Sequence, residues 1–183
     1  PAFRNCSMTR HLVAPVIETG RLRLRPLRAD DFEPVCRIWS DPENLRFVGG
    51  KPSTPYESWR RIVSSAGYWP ILGYGYWALD ERESDRFIGL VGFADFRREK
   101  PAGFSGDPEI GYVIDKTVHG QGYGREAMTA CMKWMDDTHG RRRTTCMIEP
   151  GNIASIRIAE RLGYKPYGEG LIDGVTVVLM ERI

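Results

Sequence analysis

The sequence predicts a single α/β domain built on a mixed, largely antiparallel sheet. Two observations carry that prediction. Segments with the two-residue period of strands and segments with the 3.6-residue period of helices succeed one another from Arg21 onward, in the order β-α-α-β-β-β-α-β-α-β-β. No internal repeat or low-complexity linker divides the 183 residues, a length that suits one domain and suffices for a sizeable core. Residues 1–17 show no sustained period and are expected to form a loose leader, with the domain spanning 18–183.

The first strand is RLRLRPL (21–27), where charged and apolar residues alternate and Pro26 suggests a place near a sheet edge. ADDFEPVCRIWSD (29–41) follows as a helix whose Phe32, Val35, Cys36 and Trp39 share one face, with Asp30 or Asp31 as its N-cap. A Pro/Gly-rich link from Phe47 to Pro55 leads to a second helix over 56–69. GYGYWALD (73–80) and RFIGLVGFADF (86–96) read as strands joined by the polar turn ERESD. After the loop REKPAGFSGDP come the strand EIGYVID (109–115) and a helix opened by HGQGYG (119–124), with Ala127, Cys131, Trp134 and Met135 on one face. RRRTTCMIE (141–149) is a strand, and NIASIRIAERLGY (152–164) is a helix stopped by Gly163. YKPYGEG and VTVVLMERI supply the last two strands.

Composition excludes several classes. The 26 basic and 24 acidic residues leave a net charge of +2, which is not the footprint of an electrostatic nucleic-acid binder. Cys6, Cys36, Cys131 and Cys146 form no CxxC pair, and His11, His119 and His139 form no ligand cluster, so neither a disulfide framework nor a metal is expected. No apolar run is long enough for a membrane span. The N-terminal segment lacks the apolar core and cleavage site of a secretory signal. The expected location is cytoplasmic.

The 20 glycines are the one skewed entry, about 11% against a usual level near 7%. Three of them, Gly120, Gly122 and Gly124, open a helix directly after an apolar strand. A helix start presents unpaired N–H groups and a partial positive charge, and glycines let a ligand approach that backbone closely. The segment therefore reads as a phosphate cradle, with Arg125 able to add a charge-assisted bond; the plain alternative is a glycine-rich turn without a ligand. Two nucleotide signatures fit poorly. Arg125 stands where a dinucleotide fingerprint needs its third glycine, and no GK pair is followed by Ser or Thr as a P-loop requires.

These residues resemble the GNAT superfamily of acetyl-CoA-dependent N-acetyltransferases, especially its ribosomal-protein N-terminal acetyltransferase-like branch. The loop His119-Gly120-Gln121-Gly122-Tyr123-Gly124 is similar to the superfamily's Arg/Gln-x-x-Gly-x-Gly/Ala motif at both glycines and departs from it at His119. ETGRLRLRPLRADD, PEIGYVID with GREAM, and EPGNIASIRIAERLGYKPYGE resemble the branch in the same order, so the likeness runs from about Glu18 to Met180.

The resemblance implies a splayed sheet of six to seven strands flanked by about four helices. It implies acetyl-CoA as co-substrate, no metal, and an amine acceptor that is either a protein N-terminus or a small molecule. Tyr112, Val113 and Ile114 would meet the pantetheine arm and acetyl group. The backbone from His119 and Gly120 through Gln121, Gly122, Tyr123, Gly124 and Arg125 would hold the pyrophosphate. The alternative to an enzyme is a non-catalytic acyl-CoA-binding module.

Direct attack of an amine on the thioester leaves two proton tasks. Glu109 is the candidate base, with Asp95 behind it. The tyrosine that many superfamily members use as acid is replaced here by Ala159. Ser155 is then the candidate proton donor to sulfur, and Asn152 a candidate pantetheine ligand or simply an N-cap. Arg141, Arg142 and Arg143 could meet the CoA 3′-phosphate or merely form a solvated face. The acceptor pocket is expected in the segment Phe47 to Gly75 and at Leu171 to Gly174, and the aromatics Trp59, Tyr68, Trp69, Tyr74, Tyr76 and Trp77 divide between core and pocket. The identity of the amine and the oligomeric state have no readable code.

Overall fold

The computed structural model describes residues 11–49, 51–98 and 106–183; Cys6, Gly50, most of the leader and the middle of the REKPAGFSGDP loop lie outside them. The elements are β1 (Ile17–Glu18), β2 (Leu22–Arg25), α1 (Phe32–Ser40), α2 (Pro55–Leu72), β3 (Tyr76–Glu81), β4 (Phe87–Ala94), β5 (Glu109–Ile114), α3 (Tyr123–His139), β6 (Thr144–Ile148), α4 (Ile153–Arg161), β7 (Lys165–Ile172) and β8 (Val175–Arg182). The strands form one sheet in the order β1-β2-β3-β4-β5-β6-β8-β7, antiparallel everywhere except between β5 and β6. Eight strands replace the six or seven expected, because the extra one, β1, is only two residues long and too short to show a period.

The domain's packing begins before Glu18. Ala14 is buried, Trp77 Nε1 donates to the Pro15 carbonyl at 2.8 Å, and Ile17 pairs with Leu24. The second half of the expected leader is thus held by a tryptophan 62 residues away, a contact no local pattern announces.

A small cluster joins Val177 and Leu179 of β8, and the two larger cores lie on the two faces of the sheet. The larger packs α3 (Ala127, Met128, Cys131, Met132, Met135) against Trp77, Leu79, Ile88, Val91, Phe93 and Ile110. The other packs α1 (Val35, Ile38, Trp39) and Ile62 of α2 against Ala78, Leu90 and Val113. Trp69 and Trp77 are in edge contact at 4.6 Å, and both are buried in the larger core with Tyr74, so these aromatics are packing residues.

Local capping follows sequence at most ends. Thr54 and Glu57 form a reciprocal capping box on α2, and Gly73 ends that helix with φ of 80°. Gly163, with φ of 89°, follows α4. Asp31 departs from expectation: its carboxylate does not cap α1 but grips Arg25 (2.7 and 2.9 Å) and the Arg28 N–H (2.7 Å). Arg25 also meets Asp80 at 2.5 Å, so a residue whose alternation points to solvent is instead buried between two carboxylates.

Candidate active site

The sheet parts between β5 and β6. Their ladder holds one pair, Glu109 with Thr145, closed by Thr145 N–H donating to the Pro108 carbonyl at 3.0 Å. Beyond it the strands separate. Asp115 N–H donates to the Ile88 carbonyl, so by strand alternation the odd-numbered residues of β5 bond to β4. The N–H and C=O groups of Tyr112 therefore face the gap that β6 leaves, and an extended ligand with amides of its own can pair with them as a missing strand would.

At the C-terminal end of β5 the chain turns into α3. His119 Nε2 bonds the Ile114 carbonyl at 2.8 Å, and since a carbonyl only accepts, Nε2 carries the proton. His119 thus ties the loop to the strand end rather than pointing a cation at a ligand. Gly120 and Gly122 take φ of 77° and 82°, conformations that other residues adopt only with strain. Gly122 is the N-cap of α3, and the first bond of the helix is Glu126 N–H to the Gly122 carbonyl. The N–H groups from Gln121 to Arg125 have no backbone partner among the described residues, which suits an anion such as a pyrophosphate. Gly124 has another reason to be glycine: a Cβ there would lie 3.1 Å from the Tyr112 ring and 3.5 Å from Ile158. It lets α3 settle on the β5 tyrosine.

The loop is pinned from a distance by Arg21, a residue no motif singles out. Its Nη1 donates to the Gln121 carbonyl at 2.9 Å, its Nε and backbone N–H hold Glu126 at 2.8 Å each, and its guanidinium lies 4.4 Å from the centre of the Tyr123 ring. The Tyr123 hydroxyl in turn donates to Glu81 at 2.5 Å, so this side chain anchors the helix and only its backbone faces the cradle. A groove of about 750 Å³ also touches Gly122 and Arg125, but it follows the outer face of α3 toward Ile17 and Trp134 and includes nothing from β5, β6 or α4.

Glu109 sits at the point of divergence, 8% exposed. Burial pushes its carboxyl up from the usual glutamate range, helped by the charge of Asp95 and opposed by a bidentate pair with Arg98 at 3.1 and 3.2 Å. Asp95 itself caps the following turn, accepting from Arg97 N–H at 3.0 Å and pairing with the Arg97 guanidinium at 2.8 Å. That use fits turn capping better than proton transfer.

Across the gap, Ser155 and Tyr112 meet: their hydroxyls are 2.8 Å apart although 43 residues separate them. Burial raises the Tyr112 phenol, and the bond to Ser155 partly offsets the rise. Position 159 holds a buried alanine as the sequence says, but a phenol enters the gap from β5 instead of from α4. Sequence reading placed the Tyr112 backbone there and missed its hydroxyl. Asn152 Oδ1 accepts from Ser155 N–H at 3.2 Å and so caps α4; its Nδ2 makes no hydrogen bond among the described residues. Tyr164 is a core residue, bonded to Thr144 at 2.7 Å. Arg143 is spent on Asp107 and on Glu181 (2.7 Å), and Arg141 on the Ile183 carbonyl at 3.1 Å, away from the cradle.

Comparison with known proteins agrees with this geometry. Residues 21–165 match the family described as the acetyltransferase (GNAT) domain. The chain is 26% identical over 151 residues to an uncharacterized N-acetyltransferase, p20, of Bacillus licheniformis, covering 82% of each chain. It is similar to the structure of a putative GnaT-family acetyltransferase from Bordetella pertussis, with a TM-score of 0.83, 29% identity, and coverage of 93% of this chain and all of that one. It shares the fold of a ribosomal α-N-protein acetyltransferase solved in complex with coenzyme A, with a TM-score of 0.73, 18% identity and coverage of 92% and 98%.

Proposed function

The chain belongs to the GNAT acetyltransferase family, and from that premise we propose that it moves the acetyl group of acetyl-CoA to a primary amine, on a protein N-terminus or a small molecule, by direct attack in a ternary complex. The observation that carries this reading is the parting of β5 from β6 after a single pair, beside a glycine-opened helix start. That a protein of the same fold was solved in complex with coenzyme A supports coenzyme A as the ligand.

Acetyl-CoA supplies an activated acyl group as its thioester; the protein's residues bind, orient and move protons. The N–H groups from Gln121 to Arg125 take the pyrophosphate, with His119 and Arg21 holding the loop in shape. The open edge of β5 at Tyr112 pairs with pantetheine amides, and Asn152 Nδ2 is available to a pantetheine carbonyl. A strand N–H at Tyr112 or Ile114 polarises the thioester carbonyl; that of Val113, expected to join them, is turned to β4 instead.

Glu109 accepts a proton from the incoming ammonium, directly or through a water; its raised pKa suits a base that must also release that proton. The N–C bond then forms as the C–S bond breaks, and the second proton leaves nitrogen for solvent, which also restores the proton that the Ser155–Tyr112 pair gives up. The departing sulfur gains one from Ser155 Oγ, which the Tyr112 hydroxyl can reprotonate. Membrane insertion plays no part in this reading: among the described residues no helix is long and apolar enough to cross a bilayer.

The test is thiol release from acetyl-CoA across a panel of small amines and peptides, paired with calorimetric titration of CoA. Turnover on any member is the expected result. Absence of CoA binding would overturn the reading, and tight CoA binding without turnover on any acceptor would leave a binding module in its place.

A further inference from the structure

The face of the sheet that carries α1 and α2 holds a group of buried donors that acetyl transfer leaves unused. Four buried side-chain polar atoms lack a hydrogen-bond partner among the described residues, and three of them, Trp39 Nε1, Ser58 Oγ and Arg61 Nε, belong to α1 and α2. They are neighbours. The Arg61 guanidinium lies 3.4 Å from the centre of the Trp39 ring, and Ser58 is one turn before Arg61 on the same helix. Arg61 has no ion pair among the described residues. The one acid a turn away, Glu57, is turned back to the helix start, where Thr54 N–H and Oγ1 donate to it at 2.7 and 2.9 Å. Burial lowers the Arg61 pKa, and the more distant charge of Glu57 only partly offsets it. Leaving several donors and a charge unanswered is costly, and native structures seldom do so without a ligand or water to receive them.

This group is linked to the reaction centre by Tyr76. Tyr76, Gly92 and Gly111 stand in one row across β3, β4 and β5. With glycine at both neighbours, the tyrosine ring lies across the row, and its hydroxyl would be 2.9 Å from a Cβ at Gly111. That hydroxyl makes no hydrogen bond among the described residues, and it feels the charges of both Glu109 and Arg61. Tyr68, one helical face along α2, likewise feels Arg61, Arg98 and Glu109. An acceptor with a cationic amine and an anionic tail would find a carboxylate at Glu109 and unanswered donors on α1 and α2.

We propose that Arg61, with Trp39 and Tyr76, forms a carboxylate-binding subsite, so that the acceptor is a small amine whose skeleton also carries a carboxylate. This rests on the acetyl-transfer reading and names its substrate class. Arg61 supplies the charge-assisted bond, Trp39 Nε1 and the Tyr76 hydroxyl complete the donor set, and Glu109 receives the ammonium.

The test compares acceptors in matched pairs: α- and ω-amino acids against the amides and decarboxylated amines of the same skeleton, all with acetyl-CoA and the full chain. The carboxylate member is expected to have a kcat/KM roughly 30-fold higher. Arg61→Met should abolish that preference while leaving the amide rates within about threefold, and Arg61→Lys should restore part of it. Parity between the members of each pair in the wild type, or a preference that survives Arg61→Met, overturns the subsite. If no acceptor turns over, the transfer reading fails separately. The subsite is then decided by melting the CoA-loaded protein with each amino acid and its amide: stabilisation by the acid alone, lost in Arg61→Met, upholds it, and no difference overturns it.

Discussion

Arg21→Ala tests whether the phosphate loop is held in shape from outside its own sequence. The substitution removes the bond to the Gln121 carbonyl, the side-chain grip on Glu126 and the stacking over Tyr123. The Arg21 side chain is 47% exposed and Glu126 20% exposed, so the ion pair belongs near the low end of its range, about 0.5–1 kcal/mol. The carbonyl bond adds about 1 kcal/mol and an exposed cation–π contact about 0.5 kcal/mol. The total, about 2 kcal/mol, corresponds to a fall in Tm of roughly 4–8 °C for a chain of this size. Part of that energy orders the loop; if about half does, CoA must supply roughly 1 kcal/mol on binding, and its Kd rises about fivefold. Differential scanning calorimetry and titration of CoA read the two numbers. Glu126→Ala should lower Tm as well, and the double variant should cost less than the sum of the two, because the ion pair is lost in both. A lowered Tm with Kd unchanged within twofold would refute the reasoning, for Arg21 would then be holding the sheet edge and not the cradle.

Three further outcomes follow from the same geometry. Glu109→Gln should lower kcat about 100-fold. In the wild type, kcat/KM should fall with decreasing pH through a pKa above the ordinary glutamate value, because burial raises it and the base acts only when ionised; the variant's profile should lose that limb, and an unchanged profile would move the base elsewhere. Tyr112→Phe and Ser155→Ala should each reduce kcat about tenfold or more with CoA affinity nearly unchanged; equal loss of affinity and rate would make the pair a binding element only. Gly92→Ala would place a Cβ 2.3 Å from the Gly75 carbonyl oxygen and 2.4 Å from the Tyr76 Cα, both backbone atoms, so it should destabilise the fold by about 3 kcal/mol in urea denaturation.

Much of the site was legible before any fold was known. The glycine spacing from Gly120 to Gly124 announces a backbone ligand at a helix start, Asn152 announces the start of α4, and Gly163 its end, because each expresses a preference of a residue for its own or an adjacent backbone conformation. Periodicity likewise marks which face of α1 and of α3 turns inward, since every third or fourth residue meets the same core whatever that core contains. The four-part likeness to the GNAT superfamily then implies the cofactor, and Glu109 and Ser155 are the proton-moving residues we propose from it.

What the sequence by itself determined was therefore all the elements but the two-residue β1, most of their caps and the glycine-rich opening of α3. Only the tertiary structure decided what each site residue touches. Arg21 meets Gln121 across 100 residues, the Tyr112 hydroxyl meets Ser155 across 43, and Arg98 meets Glu109 across 11. Gly124 looked like part of a ligand cradle and turned out to be shaped also by a tyrosine on another strand. The physical reason is one of range. Capping and periodicity act over a turn of backbone and are written in neighbouring residues. The partner of a buried hydroxyl or cation is chosen by how the strands pair and the helices pack on them, and no local pattern encodes that choice.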